Sequence, residues 1–172
     1  MFVSNCGVWY RRLRLAMADC NSRLSDLLTP AQVVVRLDVP DKMAAIAELA
    51  RVLVANSAAN YDEVLAAVHH RERSMSTAVG YGVAIPHGRA ASVGALCIAA
   101  AVTAGPLDWQ APDGGPVRLL FMVVAPESRA SEHVKTLARI ARTIRHDAVR
   151  ERLVACRTPH EFHQTLVQAE TA

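Results

Sequence analysis

The sequence GYGVAIPHGR, residues 80–89, joins two glycines, a short apolar run and a histidine that precedes a third glycine. Glycine lacks a Cβ and can adopt positive φ, so neighbouring backbone N–H groups can converge on one anion. Pro86 fixes its own φ and biases Ile85 toward extended geometry. We therefore expect His87 at a strand end, on a rigid glycine-bounded turn that suits a phosphoryl group. A motif this short more often marks an ordinary loop histidine, so the flanking sequence must decide.

Helical and strand-like segments alternate on both sides of this stretch. Hydrophobic periodicity and capping residues predict strands over 33–37, 93–102 and 117–124, and helices over 42–55, 60–74, 131–145, 147–156 and 158–169. Asp113-Gly114-Gly115 is a turn signal between the last two strands. The second helix ends so that Arg71 approaches His87. Helices before and after a group of strands predict an α/β fold, a three-layer α/β/α single domain with a mixed sheet flanked by helices.

Composition limits the class of protein and its partners. The 172 residues are 52% apolar and 20% charged with a net charge of +3, as expected for one globular domain. The chain has no nucleic-acid-binding motif and no apolar run of about 18 residues, so we expect neither nucleic-acid binding nor membrane insertion. Four scattered cysteines without C-x-x-C pairing favour a reducing, cytoplasmic location. Residues 1–22 are expected to be a flexible N-terminal extension.

Two longer segments carry a resemblance to a known family. Residues 71–88, RERSMSTAVGYGVAIPHG, resemble the phosphorylation-site region of enzyme IIA domains of the fructose–mannitol class, which belong to the bacterial phosphoenolpyruvate phosphotransferase system (PTS). Residues 125–137, APESRASEHVKTL, are similar to the family segment that supplies a second histidine. The resemblance covers residues 23–170, the expected EIIA type-2 domain, and is greatest for the nitrogen-regulatory type, IIA-Ntr.

The resemblance implies a phosphorelay function without a cofactor. His87 would accept a phosphoryl group from a phosphohistidine on an HPr-like carrier protein, through Nε2 as in the family. His133 would donate a hydrogen bond to phosphate oxygens, and Arg71 would neutralise their charge; otherwise these two residues are an exposed cap histidine and a helix-end cation. The supporting residues would be Glu72, Ser76, Thr77, Gly82 and Gly88. Glu72 is more readily explained as structural, the two hydroxyls as turn caps, and the glycines as aids to backbone shape.

Several functions stay open on the sequence alone. The chain would act as a phosphorylation-dependent regulator that contacts target proteins, as a sugar-specific IIA that passes phosphate to a separate IIB component, or as a regulatory protein without phosphotransfer. The pair His160 and His163 has zinc-compatible spacing, but no third ligand is evident, so we expect no metal site. A serine hydrolase is disfavoured because there is no G-x-S-x-G motif. The oligomeric state is left open.

Overall fold

The computed structural model describes residues 23–171, and the extension expected over residues 1–22 lies outside that part of the chain. The helices are α1 (Leu24–Leu27), α2 (Lys42–Ala55), α3 (Tyr61–Ser74), α4 (Ala130–Thr143), α5 (Asp147–Ala155) and α6 (Pro159–Thr171). The strands are β1 (Val33–Leu37), β2 (Ala78–Gly80), β3 (Val83–Ala84), β4 (His87–Arg89), β5 (Cys97–Leu107) and β6 (Val117–Ala125). Two 3-10 turns precede β1 and α4, at Pro30–Gln32 and Glu127–Arg129.

The strands form one mixed sheet in the order β1-β5-β6-β3-β2. The two long strands, β5 and β6, pair antiparallel at its centre, and β1 pairs parallel with β5. Strand β3 pairs parallel with the start of β6, where Val83 lies opposite Leu119, and β4 pairs with its end, where His87 lies opposite Val123. His87 is therefore placed near the carboxyl end of β6, the side of an α/β sheet where ligands commonly bind.

The sheet buries a different set of side chains on each face. Alternate residues of β6 divide between the layers: Leu120, Met122 and Val124 pack with α2 and α3. Leu119, Phe121, Val123 and Ala125 pack instead with α1, α4, α5 and α6. Because both faces are covered, the central strands are continuously apolar. The predicted three-layer α/β/α architecture with a mixed sheet is confirmed.

Capping residues fix three of the predicted helix starts. Asp41 accepts a hydrogen bond from the Ala44 N–H at 2.8 Å, and Asn60 accepts one from the Glu63 N–H at 3.0 Å. Thr158 does the same before α6, with a distance of 3.2 Å to the Glu161 nitrogen. Each side-chain oxygen satisfies a backbone donor that has no partner within its helix. The sequence signal is local, which explains why these helix starts could be predicted.

The predicted strand over 93–102 is wrong at both ends. Strand β5 begins at Cys97 and continues to Leu107. Val93 and Leu96 are buried, but the chain turns there, and the Val93 N–H bonds to the Ala90 carbonyl. The apolar character of these two residues reflects burial and not strand geometry. Val93 packs in the layer of α2 and α3, and Leu96 packs in the opposite layer.

The glycine turn before β3 does not surround His87, contrary to expectation. Gly80, Tyr81 and Gly82 all adopt positive φ, and the Asp113 carboxylate accepts a hydrogen bond from the Tyr81 N–H at 2.7 Å. The turn thus binds an anion supplied by the chain itself. Val83, directly after the turn, pairs with Leu119 of β6, and His87 pairs with Val123, four residues further on. His87 therefore lies about 13 Å along the sheet from Val83.

Gly88 allows helix α3 to lie directly against β4. A Cβ built at this position would lie 3.1 Å from the Ala67 carbonyl carbon and 3.1 Å from the Val68 nitrogen. These are backbone atoms of a regular helix and cannot move aside as a side chain can. The absence of a side chain at Gly88 therefore sets the spacing between α3, which carries Arg71, and β4, which carries His87.

We expect Gly88→Ala to destabilise the protein by about 1–3 kcal/mol, the usual cost of overpacking a tight contact. Gly105→Ala is the matched control, since a Cβ there meets nothing within 4 Å and φ is not positive. The control should change the free energy of unfolding by less than about 0.5 kcal/mol. Urea denaturation of the three proteins measures both values. Equal stability of the Gly88→Ala variant and the wild type would contradict the close-contact explanation.

Candidate functional site

A pocket of about 590 Å³ opens where the last turn of α3, strand β4 and the first turn of α4 meet. It is lined by Ala67, His70, Arg71, Ser74, His87, Gly88, Arg89, Glu127, Ala130, His133, Val134 and Leu137. The lining combines three histidines, two arginines and one carboxylate with an apolar wall. The structure thus brings together the three principal residues proposed from the sequence, which are His87, His133 and Arg71.

The His87 ring is held by a hydrogen bond to its own chain. Its Nδ1 lies 2.8 Å from the Ile85 carbonyl oxygen, which can only accept, so Nδ1 carries the proton. In the neutral ring the lone pair is then on Nε2. The tautomer follows from backbone geometry, because Ile85 and Pro86 lead directly into β4. His87 therefore presents Nε2 as its nucleophilic nitrogen.

The surroundings of His87 favour this neutral form. Burial lowers its pKa below the usual 6.5, and the nearby Arg71 charge lowers it further. The bond to Ile85 and the charge of Glu72 act in the opposite direction but do not reverse the shift. At neutral pH the ring is consequently unprotonated and nucleophilic.

His133 lies in the first turn of α4 and is not an exposed cap. Its side chain is only 6% exposed, and its Nδ1 is buried without a hydrogen-bond partner. The His133 ring meets the His87 ring edge-on, with 5.4 Å between the ring centroids. Burial, the neighbouring His87 and the Arg89 charge together lower the pKa of His133 to about 4. A buried polar nitrogen without a partner is uncommon in folded proteins, so this ring nitrogen calls for an explanation.

Arg71 makes the helix-end contact considered for it from the sequence. Its Nη1 donates to the Met75 carbonyl at 2.7 Å. The same residue lines the pocket and acts electrostatically on His87. The bond to Met75 therefore holds a guanidinium beside the pocket, and its role toward a phosphoryl group stays a prediction.

Glu72 is a buried carboxylate behind the pocket. Its hydrogen-bond and ion-pair partners are Thr77 and Lys42, and not an arginine or a histidine. It accepts hydrogen bonds from the Thr77 hydroxyl and, at 3.2 Å, from the Thr77 N–H. Lys42 Nζ lies 3.3 Å from the other carboxylate oxygen. The Ser76 hydroxyl donates to the Trp109 carbonyl at 2.7 Å. Ser76 and Thr77 thus fix the loop after α3, and neither lines the pocket.

The two glycines proposed as supporting residues separate in space. Gly88 lines the pocket, whereas Gly82 lies in the turn tied to Asp113. Sequence reasoning did not single out Arg89, His70 or Glu127, which also line the pocket. Arg89 follows His87 by two residues on β4, so strand alternation could have identified it. Glu127 carries no such periodic signal, because it lies in a 3-10 turn.

The remaining sequence candidates lie apart from this pocket. His163 Nε2 is 3.0 Å from the Ser25 carbonyl, and His160 Nε2 is 3.0 Å from the Gln164 amide nitrogen. Within residues 23–171, no three His, Cys, Asp or Glu side chains form a group able to hold a metal ion. None of the helices described there has the length and apolar character needed to cross a membrane.

Comparison with known families decides the classification. Residues 26–169 match the family model of the phosphoenolpyruvate-dependent sugar phosphotransferase system, EIIA 2. The chain belongs to the PTS EIIA type-2 family. The match confirms the resemblance identified from residues 71–88 and 125–137. Domains of this family take part in phosphoryl transfer between proteins.

Relatives of this EIIA domain include regulatory and sugar-specific proteins. A nitrogen regulatory protein of Bradyrhizobium diazoefficiens is 36% identical over 143 residues, which are 83% of this chain and 94% of the relative. The fructose-specific EIIA component of Haloferax volcanii is 32% identical over 107 residues, covering 62% of this chain and 70% of the relative. The crystal structure of the nitrogen regulatory protein IIA-Ntr from Neisseria meningitidis superposes with a TM-score of 0.78 at 31% identity, covering 83% and 98% of the two chains.

The buried His133 should make the stability of this EIIA domain depend on pH. Its pKa is about 4 in the folded chain and about 6.5 when unfolded, so the unfolded state binds the proton first. The stabilisation is complete above about pH 6.5 and is lost as the pH falls toward 4. We expect the wild type to lose about 1–2 kcal/mol more than His133→Gln between pH 7.5 and pH 5. Urea denaturation at both pH values measures this, with exposed His146→Gln as the control that keeps the wild-type dependence. Identical dependence in wild type and His133→Gln would refute the prediction.

Proposed function

We propose that the EIIA domain of residues 23–170 is a phosphoryl carrier that accepts a phosphoryl group on Nε2 of His87 from a phosphohistidine of an HPr-like protein. The observation that carries the proposal is the His87 ring itself, with Nδ1–H bonded to Ile85 and Nε2 left as the nucleophile in a cationic pocket. Membership of the family supports phosphotransfer between proteins.

The step requires little of the protein beyond position and charge. The Nε2 lone pair of His87 forms a new P–N bond while the P–N bond of the donor breaks, and its electron pair returns to the donor nitrogen. The Nδ1 proton stays in its bond to the Ile85 carbonyl. No cofactor or metal is needed to balance the transfer.

Arg71 and His133 serve the transferred group without receiving it. The guanidinium of Arg71, held by Met75, has further N–H donors for phosphate oxygens. His133, at the N-terminal end of α4, offers a ring nitrogen close to His87. The centroids of the two rings are 5.4 Å apart. The dianionic phosphoryl group favours protonation of His133, because it places negative charge next to that ring.

We further propose that this phosphorylation regulates contacts with target proteins. The similarity to proteins named nitrogen regulatory, over more than four-fifths of the chain, supports this role. A phosphoryl group adds about −1.5 to −2 charges at the pocket and so changes which surfaces can dock there. The fructose-specific relative keeps a second role in view, in which the phosphoryl group passes to a separate IIB component.

His87→Ala should abolish phosphate incorporation, because it removes the Nε2 that we propose as the acceptor. The protein would be incubated with phosphoenolpyruvate, enzyme I and HPr, and intact mass would report the added group. His70→Ala is the matched control, since His70 lines the same pocket and should be dispensable. Full incorporation into His87→Ala would refute the assignment.

The rate of uptake should reach its plateau at a lower pH than for a histidine with the usual pKa of about 6.5, because its surroundings lower the pKa of His87. The rate should fall only at lower pH, as His87 becomes protonated and loses its lone pair. Single-turnover kinetics from phosphorylated HPr between pH 5 and pH 8 measure the profile. A rate that continues to rise with pH well above 7 would argue against His87 in this environment.

Regulation and sugar transport can be separated with one pair of experiments. Cytosolic proteins retained by unphosphorylated wild type would be compared with those retained by the phosphorylated protein. Phosphate transfer to IIB components from the same genome would be measured alongside. A phosphorylation-dependent partner set supports regulation, whereas rapid transfer to a IIB with identical partner sets supports a sugar-specific role.

A further inference from the structure

Arg89 lies on the same strand as His87, the proposed phosphoryl acceptor. It follows His87 by two residues on β4, so the two side chains project to the same side of the strand, while Gly88 faces α3. Both residues line the pocket. The ladder to β6, with His87 opposite Val123 and Arg89 opposite Ala125, fixes their backbone positions.

The two pocket arginines differ in how far their guanidinium groups are committed. Arg71 uses Nη1 to hold the Met75 carbonyl. Arg89 is exposed, and among the described residues its side chain forms neither a hydrogen bond nor an ion pair. A fork of five N–H donors therefore remains available on a rigid strand at the edge of the pocket.

The arginines also act on different histidines. The charge of Arg71 bears on His87, whereas that of Arg89 bears on His133. The His87 and His133 rings are in T-shaped contact, so the two cations act on one contiguous pair of rings. The acidic residue in the pocket lining is Glu127, and it is also exposed.

We propose that Arg89 is a second phosphate-binding residue, which contacts the phosphoryl oxygens during transfer and in the phosphorylated state of His87. The inference rests on the proposed function of His87. Arg71 supplies a fixed positive charge on one side, and Arg89 turns onto the oxygens from the other. Guanidinium groups suit this task because their planar fork matches two phosphate oxygens at once.

Two donors separate binding of the phosphoryl group from docking of a carrier protein. Phosphorylated HPr brings a protein surface, whereas phosphoramidate is a small phosphoryl donor without one. With either donor, the P–N bond of the donor breaks and a P–N bond to His87 Nε2 forms, while the donor nitrogen retains the electron pair. A residue that binds phosphoryl oxygens affects both reactions, and a residue that only docks the carrier affects one.

The variants are Arg89→Ala, Arg89→Lys and, as the matched control, Arg73→Ala. Arg73 is an exposed arginine in the last turn of α3 that does not line the pocket. We expect Arg89→Ala to slow phosphorylation of His87 by about 10-fold or more with both donors, in the maximal rate rather than in the concentration of donor for half-maximal rate. Arg89→Lys should recover part of the loss, since it restores the charge but not the fork. Arg73→Ala should match the wild type.

An NMR titration of the His133 ring tests the placement of Arg89 independently of phosphotransfer. Removing the Arg89 charge should raise the pKa of His133 in Arg89→Ala and leave it unchanged in Arg73→Ala, because the Arg89 charge lowers that pKa and Arg73 does not act on the ring. Thermal melts of all variants establish that the fold is intact. A general loss of structure in Arg89→Ala would lower its melting temperature. In that case Arg89→Lys, which keeps the charge, still tests whether the guanidinium fork matters.

The outcomes are distinct. Slowing with both donors, partial recovery by Arg89→Lys and a raised His133 pKa support the inference. Slowing with phosphorylated HPr alone, or equal rates for Arg89→Ala and Arg73→Ala, overturns it and leaves His87 as the acceptor. Absence of phosphate on His87 in the wild type overturns the proposed function and this inference together.

Discussion

The direct contact between helix α3 and strand β4 at Gly88 is the constraint on which the site depends. Backbone meets backbone there, with no room for a Cβ. Arg71 is one helical turn beyond this contact, and His87 is the adjacent residue of the strand. The spacing between the backbones that carry Arg71 and His87 is thus set by packing of regular elements and not by a loop. Sites built on such elements hold their geometry more precisely than sites on loops.

A buried carboxylate supports this arrangement from behind. Glu72 has no exposure in its side chain, and Lys42 and Thr77 satisfy its charge and its oxygens. The loop that Thr77 anchors contains Met75, whose carbonyl holds Arg71. An ion pair of this kind contributes little net stability, because desolvation offsets the attraction, but removal of one partner leaves an uncompensated charge. The role of the Glu72 contacts here is to hold the loop, and through Met75 the Arg71 side chain, in position.

The sequence carried most of the layer architecture and the principal pocket residues, because both depend on local patterns or on a long family motif. Caps at Asp41 and Asn60, and the apolar runs of the central strands, are signals of this kind. The contact of Asp113 with the glycine turn could not be anticipated, since it joins residues 32 positions apart through the pairing of strands. Arg89 was within reach of sequence reasoning, since it follows His87 by two residues on β4 and a strand places such residues on one side.

Strand β4 and the Nδ1 bond together have a consequence for how quickly the site can act. The backbone of His87 is paired with β6, and its ring is bonded to Ile85, so both are in place before any partner arrives. A preorganised acceptor requires no rearrangement at the moment of encounter, and the reorganisation energy is supplied during folding instead. If His87 is the acceptor as proposed, we expect diffusion, orientation and long-range charge to limit its encounter with a donor, because its backbone and ring need no rearrangement.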